Sequence, residues 1–235
     1  MEQKKTTWRD AAKRFLSTDG AYQKQIASYG KTDAILALAL YVMMLIAYYG
    51  IGVLQIKRNL YLGIPVNLAL ILFCVALALL RRQGLSSIGI TQRNLGRSTL
   101  AGALSGVVLS FLMNVLPSIL AGRKVIPFGL ALYNVFYYFV VIGLSEEIIF
   151  RGYIQTRING LIKDDFLAML IVGVLFYFMH LPYQMPVNGM QFNVLQLAVF
   201  VVLHMIHNIL YRKFNSLAGP TLLHGLLDWG GKLFR

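Results

Sequence analysis

The stretch Glu146-Glu147-Ile148-Ile149-Phe150-Arg151, residues 146–151, decides the reading of this chain because of what precedes it. Residues 127–144, PFGLALYNVFYYFVVIGL, hold no charge and are hydrophobic enough to enter a bilayer. Two adjacent carboxylates and an arginine at the end of such a run cost several kcal/mol to place near hydrocarbon, on scales running from about 2.5 to above about 10 per charge. A cost of that size goes with a use. On a helix Glu147 and Arg151 stand four apart on one face, in the favourable acid-before-base order, while Glu146 points about 100° away. The pattern predicts one paired, structural carboxylate and one left free for chemistry. The competing reading is a set of helix-end charges snorkelling toward headgroups.

Working outward, the 235 residues are 57% hydrophobic and only 13% charged, with mean hydropathy +0.64, where a soluble domain carries about 25% charged residues. This is the composition of an integral membrane protein. Apolar runs at residues 33–55, 60–80, 98–122, 127–146, 166–180, 191–211 and 216–229 approach the length of about 20 that a span requires. The fifth and seventh are short, as expected of helices surrounded by protein and not lipid. The expected fold is all-α, a polytopic bundle of about seven to eight helices around a polar intramembrane cavity.

A net charge of +13 invites a nucleic-acid partner, but the distribution argues against one. With the N-terminus inside, sixteen Lys/Arg fall on the inner side, among them Lys24, Arg81, Arg93, Arg151, Arg157 and Arg212, and six on the outer (Lys57, Arg58, Arg123, Lys124, Lys232, Arg235). The excess follows the positive-inside rule, so the basicity is topological and its partner is anionic lipid. Residues 1–32 read as a polar cytoplasmic tail with a weak amphipathic pattern at 6–16, suited to lying on the membrane surface. Residues 33–235 read as a single transmembrane domain. The tail is too long and hydrophilic for a cleaved signal, so residues 33–55 are expected to be an uncleaved first span. The single cysteine, Cys74, excludes an intramolecular disulfide.

Downstream, polar residues inside apolar runs are few. Phe176 and His180 close the fifth run, His204, His207 and Asn208 lie in the sixth, and His224 and Asp228 in the seventh. An intramembrane histidine is a functional hypothesis by default; the bland alternative for each is a neutral imidazole bonded to a carbonyl. If the fourth and fifth helices are antiparallel around a turn near Asn159-Gly160 to Asp164, residues whose numbers sum to about 326 lie level, and Glu146 and His180 meet that condition. Such a carboxylate and imidazole suit a shared water, with Glu146 as general base and His180 orienting the water. They equally suit zinc, with His224 as third ligand and Asp228 behind it. His224 and Asp228, four apart, share a face suited to stabilising an oxyanion.

Taken together, EExxxR at Glu146–Arg151, FxxxH at Phe176–His180 and HxxxD at His224–Asp228 resemble, in this order, the CPBP family, which contains the CAAX-processing Rce1-type proteases and the bacterial Abi proteins. EEIIFRGYI (146–154) is close to the family's EExxFRG, and NSLAGPTLLHGLLD (215–228) is similar to its S-L-x(6)-H-x(3)-N/D ending. The resemblance covers roughly residues 86–230. It implies an intramembrane endopeptidase in which Glu146 activates water, His180 holds it, His224 with Asp228 stabilises the oxyanion, and Glu147, Arg151 and Phe176 support them. The family has been described both as metal-dependent and as glutamate-type, so the water stays open between plain Glu146 and zinc on Glu146, His180 and His224. Asp228 departs from the commoner Asn, and an ionised Asp cannot donate to an oxyanion. His204–Asn208 is expected to serve packing or substrate lining.

Two functions of different class follow. One is a protease, in a bacterial plasma membrane with its N-terminus cytoplasmic, cutting a lipidated or secreted peptide precursor near the inner face. The other is a non-catalytic bacteriocin self-immunity or scaffold protein. A transporter with a buried carboxylate relay is disfavoured by the lack of paired, broken helices in corresponding halves.

Overall fold

The computed structural model describes residues 17–235, which form eight helices: α1 (Gly20–Ala27), α2 (Lys31–Arg58), α3 (Gly63–Leu80), α4 (Leu95–Leu120), α5 (Phe128–Ile158), α6 (Asp165–Asn188), α7 (Val194–Phe214) and α8 (Ala218–Gly231). Six of them, α2 to α7, are long and apolar enough to cross a membrane. Their outward faces are bare of polar cover; Leu80, Leu104, Phe111 and Phe128 are all exposed, an apolar surface of the extent that lipid covers. The protein is an integral membrane helical bundle, as the composition requires. The amphipathic pattern at residues 6–16 lies outside the described residues.

Helix ends follow the sequence signals. Asp164 caps α6 by accepting from the Leu167 amide at 2.8 Å, and Asn193 caps α7 by accepting from Leu195 and Gln196, each oxygen satisfying an amide that the helix leaves unpaired. Asn59 and Asn215 close α2 and α7 in the left-handed conformation. One boundary differs from expectation. The fifth run does not stop at His180: after a break at Met179-His180 the chain re-enters helix at Leu181–Asn188, where Pro182 sits at a first-turn position that lacks no needed donor. The seventh run is the short helix expected, α8 of 14 residues, held inside the bundle against α4 and α5.

Small residues seat α8. Ser98, Gly102, Gly106 and Ser110 recur every fourth residue and are all buried on α4, facing Gly219, Leu223 and Leu226 of α8. Ser98 Oγ accepts from the Gly219 amide at 2.9 Å. A Cβ on Gly102 would collide with the Gly219 backbone, the close approach that small residues permit between membrane helices. Gly102→Ala should therefore destabilise by about 1–3 kcal/mol through overpacking, seen as a lower Tm in detergent, while Leu104→Ala on the exposed face of the same helix should leave Tm near that of the wild type.

Residues 19–32 join the bundle. The Tyr22 ring meets Tyr211 edge-on at 5.7 Å, the Asp19 amide donates to the Arg212 carbonyl at 2.9 Å, and the Arg93 guanidinium pairs with Asp19 at 3.0 Å. At the opposite end, Lys124 and Arg235 exchange backbone hydrogen bonds, tying the α4–α5 connection to the C-terminal segment. The two ends of the bundle are thereby defined by contacts.

Candidate active site

α5 carries the site and is not a plain α-helix. Tyr137–Leu144 and Glu147–Gln155 are wound as π-helix, a widened turn that leaves carbonyls to be satisfied by other donors and that occurs often at functional sites. The Ser145 hydroxyl lies against the Val141 and Ile142 carbonyls, and Thr156 Oγ1 lies 2.8 Å from the Gly152 carbonyl. Residues 145–160 are buried without exception.

Within this stretch the i, i+4 pair forms as expected: Arg151 Nη1 lies 3.1 Å from Glu147 Oε1, both side chains essentially inaccessible. The guanidinium also stands over the Phe176 ring, 4.4 Å from its centroid, and Phe150 meets Phe176 at 4.9 Å. These contacts join residues whose numbers sum to 326 or 327, so α5 and α6 are in the antiparallel register predicted from their turn. Phe176 is the aromatic hub, in ring contact also with His180, His204 and His224.

His224 draws the two carboxylates together. Its Nδ1 lies 2.8 Å from Glu147 Oε1, and its Nε2 lies 3.7 Å from Glu146 Oε2 and 3.5 Å from Asp228 Oδ2. Behind His224 therefore stands Glu147, where Asp228 was expected: a carboxylate only accepts, so Nδ1 carries a proton toward Glu147 and Nε2 faces Glu146 and Asp228. Glu147 thus holds Arg151 and His224 at once. Glu146 Oε2 is buried yet has no hydrogen-bond partner among the described residues.

His180 is fixed by the same logic. Its Nδ1 lies 2.8 Å from the Phe176 carbonyl, which can only accept, so Nε2 keeps its lone pair. Glu146, Phe176, His180, His224 and Asp228 all line one cavity of about 760 Å³. His207 lines it too, while His204 turns away to bond Gln155 Oε1 at 3.1 Å, a packing role. The sequence reading did not single out Asn67, which accepts from Tyr48 at 2.7 Å and also faces the cavity; an asparagine alone in an apolar run was the available signal.

Two donor sets at or beside this cavity bear on zinc. Glu147, His207 and His224 have ligand atoms within 4.8 Å of one another, but Glu147 is occupied by Arg151, whose charge opposes a second cation, and His224 Nδ1 is protonated. In Glu146, His180 and His224 both imidazoles tie Nδ1–H to an oxygen and leave Nε2, as metal-binding histidines do, but among the described residues only the Glu147 set brings its ligand atoms within 4.8 Å of one another.

Arg157, counted above as an inner-side cation, is fully buried. It donates to the Ser87 and Gly152 carbonyls at 2.8 Å each and to Gln83 Oε1 at 2.7 Å, between the rings of Tyr29 and Tyr153. Among the described residues no carboxylate pairs with it. Carbonyls and π-faces hold the charge in place.

Fold and site together define a polytopic membrane protein with a carboxylate–histidine centre on the wall of an internal cavity. Residues 128–230 match the family model described as type II CAAX prenyl endopeptidase Rce1-like. The matched segment contains all of α5 to α7 and α8 up to Gly230, and so includes every motif residue named above. No curated protein and no solved structure matches the chain.

Proposed function

We propose that the protein is an intramembrane endopeptidase that hydrolyses a membrane-associated peptide precursor with water activated by Glu146. The observation carrying this reading is the buried Oε2 of Glu146, which makes no hydrogen bond, on the wall of a cavity it shares with His180 and His224. A carboxylate there takes a proton from water while His180 Nε2 accepts a hydrogen bond from the same water and orients it. Attack on the scissile carbonyl builds an oxyanion, and His224, when protonated at Nε2, donates to it. Glu147 holds the imidazole from behind and stabilises its positive form, the usual part of a carboxylate behind a catalytic histidine. Asp228 acts through His224, because ionised it has no proton to donate. Glu146 then delivers its proton to the leaving amine. Zinc held by Glu146, His180 and His224 would instead polarise the carbonyl and acidify the water.

The self-immunity or scaffold alternative gains nothing from the family match, and a binder has no use for four polar side chains gathered around one void. The experiment is a comparison of membrane and secreted peptides from cells carrying the wild-type or a Glu146→Ala copy: fragments should appear only with the wild type. Identical peptide profiles from equal amounts of folded protein would sink the proposal. Cleavage should also survive chelators, because the candidate ligands lie on three separate helices and lack the two-His pair of HExxH sites. Loss of cleavage on chelation with recovery on zinc would move the chemistry to the metal.

A further inference from the structure

The cavity is closed toward one end of the bundle and open toward the other. On the N-terminal side, residues 145–160 are wholly buried, with Arg157 packed against Ser87 and Tyr153 and outside the cavity lining. The lining residues that reach the surface are Tyr61, Met113, Gln196, Gly231 and Lys232, and all of them belong to the opposite half. Tyr61 precedes α3, Gln196 opens α7, and Gly231 and Lys232 end α8 beside the Lys124–Arg235 pairing.

Charge assigns the two ends to sides of the membrane. With Arg151 and Arg157 set aside as buried, nine Lys/Arg of the described residues lie toward the N-terminal end against six at the other, and the sequence of residues 1–16 adds five more. A bias of that size in short connections orients the chain with its N-terminal end in the cytoplasm. Closure on the cytoplasmic side and a mouth on the other side cannot serve a substrate presented at the inner face, which was the expectation from sequence.

We infer that the cavity mouth faces the extracytoplasmic side, so that the substrate is a membrane-anchored peptide whose scissile bond lies in the outer half of the bilayer. The cleavage part rests on the endopeptidase reading; the orientation does not. The only cysteine, Cys74, is buried, which gives a quiet background for single-cysteine labelling in intact bacterial cells with a membrane-impermeant maleimide. Lys232→Cys at the mouth should react in intact cells, and Lys163→Cys in the α5–α6 connection only after permeabilisation. The reverse pattern overturns the orientation. Gln196→Cys, labelled from outside with a bulky maleimide, should suppress the Glu146-dependent peptide fragments at least tenfold; full labelling with unchanged fragments overturns access through this mouth. If no Glu146-dependent fragment exists at all, the endopeptidase reading fails, and the labelling pattern still decides the orientation.

Discussion

Glu147→Ala should cost the protein its fold before it costs any chemistry. The substitution removes the partner of Arg151, 3.1 Å away and buried, and of His224 Nδ1, 2.8 Å away. Breaking a buried pair by deleting one member costs about 3–5 kcal/mol, because the remaining charge has neither water nor counter-ion. That is a large share of the stability of an ordinary domain. The expected result is low abundance in membranes and a strongly reduced Tm of whatever is recovered. Glu147→Gln should be milder, since the amide oxygen still accepts from one of the two donors. A Glu147→Ala protein as stable as wild type would reverse the division of labour between the two carboxylates.

Glu146→Gln should give the opposite phenotype, a folded protein without activity. Its Oε2 makes no hydrogen bond and approaches His224 Nε2 only to 3.7 Å, so little native structure depends on the charge, while loss of a general base lowers the rate by about 10²–10⁴-fold. Measured on the fragments found in the peptide comparison, the rate should fall by that factor with Tm held near the wild-type value. Cleavage within tenfold of wild type would show that another group activates the water, and would remove Glu146 from the centre of the mechanism.

The two carboxylates also mark where the sequence runs out. Their spacing alone separates Glu147, paired with Arg151, from a freer Glu146, because i, i+4 adjacency is a property of any helix. The register of α5 against α6 was equally legible, through a turn whose Asn159-Gly160 and Asp164 signals fix both helix ends. Convergence of both carboxylates on opposite nitrogens of one histidine was not legible. It depends on the π-wound turn of α5 and on α8 being seated through Gly102 and Gly219, and neither the winding nor the crossing has a local signature strong enough to set a side-chain position.

Hydrophobicity, being additive along the chain, was sufficient to establish a polytopic helical membrane protein and to mark Glu146, His180, His224 and Asp228 as its costly residues. Which charges belong to loops required the packing: Arg157 reads as an inner-side cation in sequence, yet three carbonyl-type oxygens and two tyrosine rings hold it inside the bundle. The direction in which the cavity opens also came only from the tertiary structure. A mouth is the place where packing stops, and it is set by distant segments, here the starts of α3 and α7 and the end of α8, whose proximity no local pattern encodes.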